Sequence, residues 1–138
     1  IKAVINLCND IVTRWSIPPS RVLGHSDIAP GRKSDPGERF PWNQLFEAGV
    51  GHWTAAAALD TSGFALAPGD QGEPVSALRR QLADYGYGLP AGDSYDSETE
   101  QVVLAFQRHF RPQKCDGIAD ASTRATLHEL LRRLAINC

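Results

Sequence analysis

A histidine, a lysine and an aspartate stand close together in the stretch His25-Ser26-Asp27-Ile28-Ala29-Pro30-Gly31-Arg32-Lys33-Ser34-Asp35-Pro36-Gly37. Lys33 and Asp35 follow the histidine by eight and ten residues. Imidazole nitrogen and carboxylate oxygen are both good zinc ligands, and a catalytic zinc site normally takes three protein ligands and leaves one position for water. Lys33 and Asp35 alternate around Ser34, so in extended backbone their side chains point to the same side. An ammonium group can then sit beside a metal held by His25 and Asp35. Read singly, His25 is an ordinary hydrogen-bonded loop histidine and Asp35 a turn residue before proline. Only the longer string around them separates the two readings.

The flanking segments must position these groups. In residues 1–16, Ile1, Val4, Ile5, Cys8, Ile11, Val12 and Trp15 recur at helical spacing, which predicts an amphipathic helix. Ile17-Pro18-Pro19 ends it, because proline cannot continue the hydrogen-bond ladder. Residues 21–25, Arg-Val-Leu-Gly-His, read as a short strand that delivers His25 at its end. Residues 26–39 have the Gly, Pro, Ser and Asp content of an ordered loop. Phe40-Pro41-Trp42 then opens a helix through about Ala48, with Pro41 suited to its first turn.

Glycines and small residues dilute the pattern from Gly49 to Gly72, and a linker is expected at 59–69. Three helices should follow, at about 74–85, 97–109 and 121–134. Their inward faces are Val75, Leu78, Leu82 and Tyr85; Val102, Val103 and Phe106; and Leu127, Leu130, Leu131 and Leu134. The last two helices share an entry device, Asp96-Ser-Glu-Thr99 and Asp120-Ala-Ser-Thr123, in which an aspartate can accept from free N–H groups of the first turn. With Gly92 and Gly117 just upstream, this makes a weak internal repeat. The expected architecture is an α/β catalytic-domain fragment (helix, strand end, ordered loop, helix) over 1–58. A small all-α three-helix domain follows over 70–138.

The composition is that of a globular protein, with 42% hydrophobic and 22% charged residues. A net charge of −2 gives no reason to expect nucleic acid or an anionic membrane as partner. No apolar run approaches the roughly 20 residues that span a bilayer. The chain opens at Ile1 inside a helical pattern, which leads us to expect a segment upstream. Cys8, Cys115 and Cys138 show no metal-type spacing; a Cys115–Cys138 disulfide is one reading and free thiols the other.

The string Val22-Leu23-Gly24-His25-Ser26-Asp27-Ile28-Ala29-Pro30-Gly31-Arg32-Lys33-Ser34-Asp35-Pro36-Gly37, followed by Phe40 and Trp42, resembles the C-terminal motif of the AmpD-type N-acetylmuramoyl-L-alanine amidases. Their relatives include the peptidoglycan recognition proteins. The likeness covers residues 1 to about 55. It implies that His25 and Asp35 are two of three Zn2+ ligands and that Lys33 stabilises the transition state. The reaction it implies is hydrolysis of the amide between N-acetylmuramic acid and L-alanine in peptidoglycan or muropeptides.

The third ligand, a histidine, and the general base, a glutamate, would lie upstream of Ile1, in an N-terminal part of the amidase domain that would partner this one. His52, His109 and His128 are poor substitutes; His109 and His128 read as solvent-facing helix residues. Glu38 and Glu47 are weak candidates for the base. On this reading the chain alone is inactive.

Residues 70–138 resemble the three-helix peptidoglycan-binding domain attached to many wall hydrolases. The matching residues include Gly72, Val75, Leu78, Tyr87, Gly92, Tyr95-Asp96, Thr99, Phe106-Gln107, Asp116-Gly117-Ile118, Asp120 and Thr123. Tyr87, Tyr95 and Arg108 could line a groove, although tyrosine in a small helical domain more often packs. The appended domain implies a periplasmic or cell-envelope location. The alternatives are a non-catalytic peptidoglycan recognition protein, or a wall-anchoring module that leaves the His25 motif unexplained.

Overall fold

The computed structural model describes residues 1–60 and 62–136. Its elements are α1 (Lys2–Trp15), a single 3₁₀ turn (Pro19–Arg21), α2 (His25–Ile28), α3 (Trp42–Glu47), α4 (Glu73–Tyr85), α5 (Ser97–Phe110) and α6 (Ala121–Ile136). Among the described residues the only β-type pairings are isolated antiparallel bridges, Leu66 with Ala119 and Gln71 with Ser94. The architecture is therefore all-helical, and the expected α/β fragment is not what forms.

The strand predicted at residues 21–25 fails for a local reason. Pro18 and Pro19 start the 3₁₀ turn, in which the Arg21 N–H donates to the Pro18 carbonyl at 2.8 Å and Val22 to Pro19 at 3.2 Å. Val22 and Gly24 keep extended backbone. No neighbouring segment among the described residues pairs with them, and a strand exists only through such pairing. The Asp27 carboxylate then accepts the Gly24 N–H at 2.8 Å, half of a capping box, and turns the chain into α2 at His25.

Helix α1 also departs from its expected face. None of its residues is fully buried. Ile5 and Cys8 pack partly against the cluster of Trp42, Leu45 and Val50. Val4, Leu7, Ile11 and Trp15 form a stripe that stays exposed. The helical period was legible; which side of a helix apolar on both sides turns inward was not. The Cys115–Cys138 pairing falls outside the described residues, because Cys138 does.

The three later helices form as predicted and bury one core. Val75, Leu78, Leu82 and Tyr85 of α4 meet Val102, Val103, Phe106 and Phe110 of α5 and Leu127 and Leu130 of α6. Both aspartates cap as expected. Asp96 accepts the Thr99 N–H and Asp120 the Thr123 N–H, each at 2.8 Å. The repeat extends further than the sequence suggested, because each aspartate also receives a buried arginine from upstream. Arg79 donates to Asp96 at 2.9 Å and Arg111 to Asp120 at 3.0 Å. Arg79 also donates to the carbonyls of Pro90 and Ser94.

The stretch between the two parts is not a free tether along its whole length. The Ala57 N–H donates to Thr126 and the Ser122 hydroxyl to the Ala57 carbonyl, which docks the chain on α6. Leu66, inside the segment expected to link, is buried and bridges to Ala119.

Candidate metal-binding loop

Gly24 is the pivot of the site. A Cβ there would lie 2.9 Å from the Pro36 ring and 3.2 Å from the Trp42 indole, so no larger side chain fits without displacing one of them. The close approach folds the loop back on itself. The Ser26 N–H donates to the Asp35 carbonyl at 2.9 Å, tying the start of α2 to the end of the loop. Between them, the N–H groups of Arg32 and Lys33 both donate to the Ala29 carbonyl at 3.1 Å. Gly31 turns at φ +75°, against the side chain of Gln101 on α5.

The result brings together two of the residues singled out from sequence. His25 Nδ1 lies 3.1 Å from Asp35 Oδ2. Both side chains are open to solvent, at 51% and 66% exposure, as an accessible reaction centre requires. Two ligands on one tetrahedral zinc lie roughly 3.3 Å apart, given bonds of about 2.0–2.1 Å. The donor types and their separation therefore fit a shared zinc ion. They supply two of the usual three protein ligands. Among the described residues no group of three His, Cys, Asp or Glu side chains converges.

Lys33 is exposed on the same loop and forms no ion pair among the described residues. Its main chain is fixed by the bond to Ala29, and its ammonium makes no hydrogen bond among the described residues. Glu38 and Glu47 are exposed and make no hydrogen bond to His25 or Asp35 among the described residues.

The other histidines divide sharply. His128 is exposed on α6, as expected. His52 is buried, with Nδ1 2.8 Å from the Tyr85 hydroxyl. Burial, reinforced by the nearby Arg133 charge, pushes its pKa below the usual histidine value.

His109 corrects the sequence reading outright. It is 4% exposed rather than solvent-facing, because its ring is sandwiched between Trp42 and Phe110 at centroid distances of 3.8 Å. Its Nδ1 lies 2.8 Å from Asp27 Oδ2. Tyr87 packs as well as lining a cavity beside Arg21, Leu23 and Asp84: it is buried and donates its hydroxyl to Asp27 Oδ1 at 2.8 Å. Burial, then the Asp27 charge, drives its pKa far up, so the phenol stays a donor. Tyr95 is buried and donates to the Gly117 carbonyl at 2.6 Å. Sequence reasoning missed Asp27 as a functional candidate. Its place two residues after His25 was the available signal.

Comparison with known proteins matches two families. Residues 1–38 match the N-acetylmuramoyl-L-alanine amidase family and residues 71–127 the peptidoglycan binding domain. The N-acetylmuramoyl-L-alanine amidase AmiD of Escherichia coli strain K12 is 43% identical over 135 residues, 96% of this chain and 48% of AmiD. The structure of E. coli AmiD in complex with the substrate anhydro-N-acetylmuramic acid-L-Ala-D-gamma-Glu-L-Lys aligns at a TM-score of 0.76 and 40% identity, over 96% of this chain and 51% of that one. AmpDh3 of Pseudomonas aeruginosa in complex with anhydromuramic pentapeptide aligns at a TM-score of 0.78 and 35% identity, over 96% and 52% respectively. The chain spans about half the length of the relatives it matches. Residues 1–38 are therefore similar to the N-acetylmuramoyl-L-alanine amidase family, and residues 71–127 to the peptidoglycan binding domain.

Proposed function

We propose that this chain contributes part of the catalytic site of a zinc-dependent amidase. The enzyme would hydrolyse the bond between N-acetylmuramic acid and L-alanine in peptidoglycan or its fragments. The observation that carries this reading is the convergence of His25 and Asp35 at 3.1 Å on an open loop. That loop lies in the segment matched to the amidase family.

His25 and Asp35 would hold zinc. When bound, zinc supplies Lewis-acid polarisation of the scissile carbonyl and acidifies a water toward neutral pH. Beyond the two ligands, this chain would contribute Lys33. The turn at Ala29 fixes the main chain of Lys33. Its ammonium is then available to stabilise negative charge growing on the carbonyl oxygen. A polypeptide of these 138 residues would hold zinc weakly and turn over no muropeptide, since among the described residues only two donors meet.

The peptidoglycan-binding part would raise the local concentration of scissile bonds by holding polymeric wall. A periplasmic or cell-envelope location follows from that substrate. Among the described residues no helix is long and apolar enough to cross a membrane.

The test is hydrolysis by the full-length protein. Incubated with purified wall or a muropeptide, it should release the stem peptide from the muramyl residue. A chelator should abolish the release and added zinc should restore it. Wall binding without cleavage, or cleavage indifferent to chelation, would refute the proposal.

A further inference from the structure

Asp27 is a buried carboxylate two residues beyond His25, and its partners come from two distant places in the chain. Three donors lie within 2.8 Å of it: the Gly24 N–H, the Tyr87 hydroxyl and His109 Nδ1. The first is local. The other two are 60 and 82 residues away in sequence, inside the segment matched to the peptidoglycan-binding domain. A carboxylate accepts and does not donate, so His109 must present N–H to it.

A buried carboxylate also needs such partners, since it is costly to take out of water alone. His109 reaches the same spot by a second route. It stacks on Trp42, and that indole is among the nearest atoms to the vacant Cβ position of Gly24. Both routes end on Gly24, the residue that launches α2 and fixes where the His25 imidazole starts.

We infer that His109 and Tyr87 are positioning residues for the metal site. Through Asp27 and Trp42 they hold α2 so that His25 faces Asp35. The peptidoglycan-binding part is then a structural support of the catalytic loop as well as a tether. This rests on the zinc-amidase reading above, but it makes a separate claim. A tether affects only polymeric substrate, whereas a support of the ligand loop affects metal retention and turnover of any substrate. Outer partners that hydrogen-bond a metal ligand directly change metal affinity or activity by about 10–100-fold when removed. His109 and Tyr87 act one step further out, through Asp27 and Gly24, so the lower end of that range is expected.

The experiment uses the full-length protein and the variants His109→Leu, His109→Gln and Tyr87→Phe. Zinc retention is read by chelator competition and turnover on a small soluble muropeptide. Binding to insoluble wall is read by sedimentation, and protection of the Gly24 amide by hydrogen exchange. His109→Leu should weaken zinc retention by about 10-fold and lower kcat on the soluble substrate. It should also expose the Gly24 amide to exchange, with wall binding kept. His109→Gln, which retains an N–H donor, should recover part of each effect, and Tyr87→Phe should show a smaller loss.

If His109→Leu does not fold, the two milder variants carry the same comparison. The inference is overturned if zinc retention, soluble-substrate kcat and Gly24 protection are unchanged while only wall binding falls. A parent protein that holds no zinc would instead defeat the zinc-amidase reading. The exchange measurement would then still decide whether His109 supports α2.

Discussion

Replacing Asp120 with alanine should lower the unfolding free energy by about 3–5 kcal/mol, the usual cost of removing one partner from a buried ion pair. Arg111 is fully buried and its guanidinium is held by Asp120 at 3.0 Å and by Thr123. The Asp120 side chain is only 4% exposed, so water cannot take its place. One guanidinium nitrogen, Nη1, already has no hydrogen-bond partner among the described residues, so little slack remains in the network. The same change at Asp96 provides an internal control. Asp96 makes the matching cap and arginine contacts, but its side chain is 47% exposed. Its loss should cost nearer the value of a helix cap, about 1 kcal/mol. Denaturant unfolding of both variants gives the comparison. Equal losses at the two sites would show that burial of the Arg111–Asp120 pair is not what sets its weight. Replacing both partners, as in Arg111→Met with Asp120→Leu, should recover most of the loss.

The second large effect concerns chemistry without structure. Lys33→Ala in the full-length protein should reduce kcat by about 10²–10³-fold, the range for removing one preorganised donor to an oxyanion, or roughly 2.7–4 kcal/mol. Zinc content and thermal stability should stay at parental values. The reason is local: the Lys33 side chain is exposed and unpaired among the described residues, and the loop is held by main-chain bonds to Ala29. Steady-state kinetics beside a metal assay checks this. Unchanged kcat would remove Lys33 from the mechanism, and lost zinc would make it a structural residue.

The fold was legible where local chemistry decided it. Asp96 and Asp120 sit before helices because a carboxylate satisfies free N–H groups, and that depends on neighbours in sequence. The inward faces of α4 and α5 followed from period alone. What was not legible required distant partners. Residues 21–25 have strand-like composition, but no neighbouring segment pairs with them among the described residues, and Asp27 pulls His25 into a helix instead. His109 sits on a helix whose polar neighbours suggest exposure, yet Trp42, 67 positions earlier, covers it. The candidate site shows the same division. The types of His25 and Asp35 allowed a shared ion, and the resemblance carried by the surrounding string selected that reading. The Gly24 approach to Pro36 and Trp42, which folds the loop back, becomes visible only in three dimensions.

The most direct test is metal content. The full-length protein, purified without added metal and then given zinc, should retain a stoichiometric amount through gel filtration. His25→Ala and Asp35→Ala should each lose it while keeping parental helix content. Zinc retained undiminished by both variants, or never held by the parent, would contradict a metal site built on this pair.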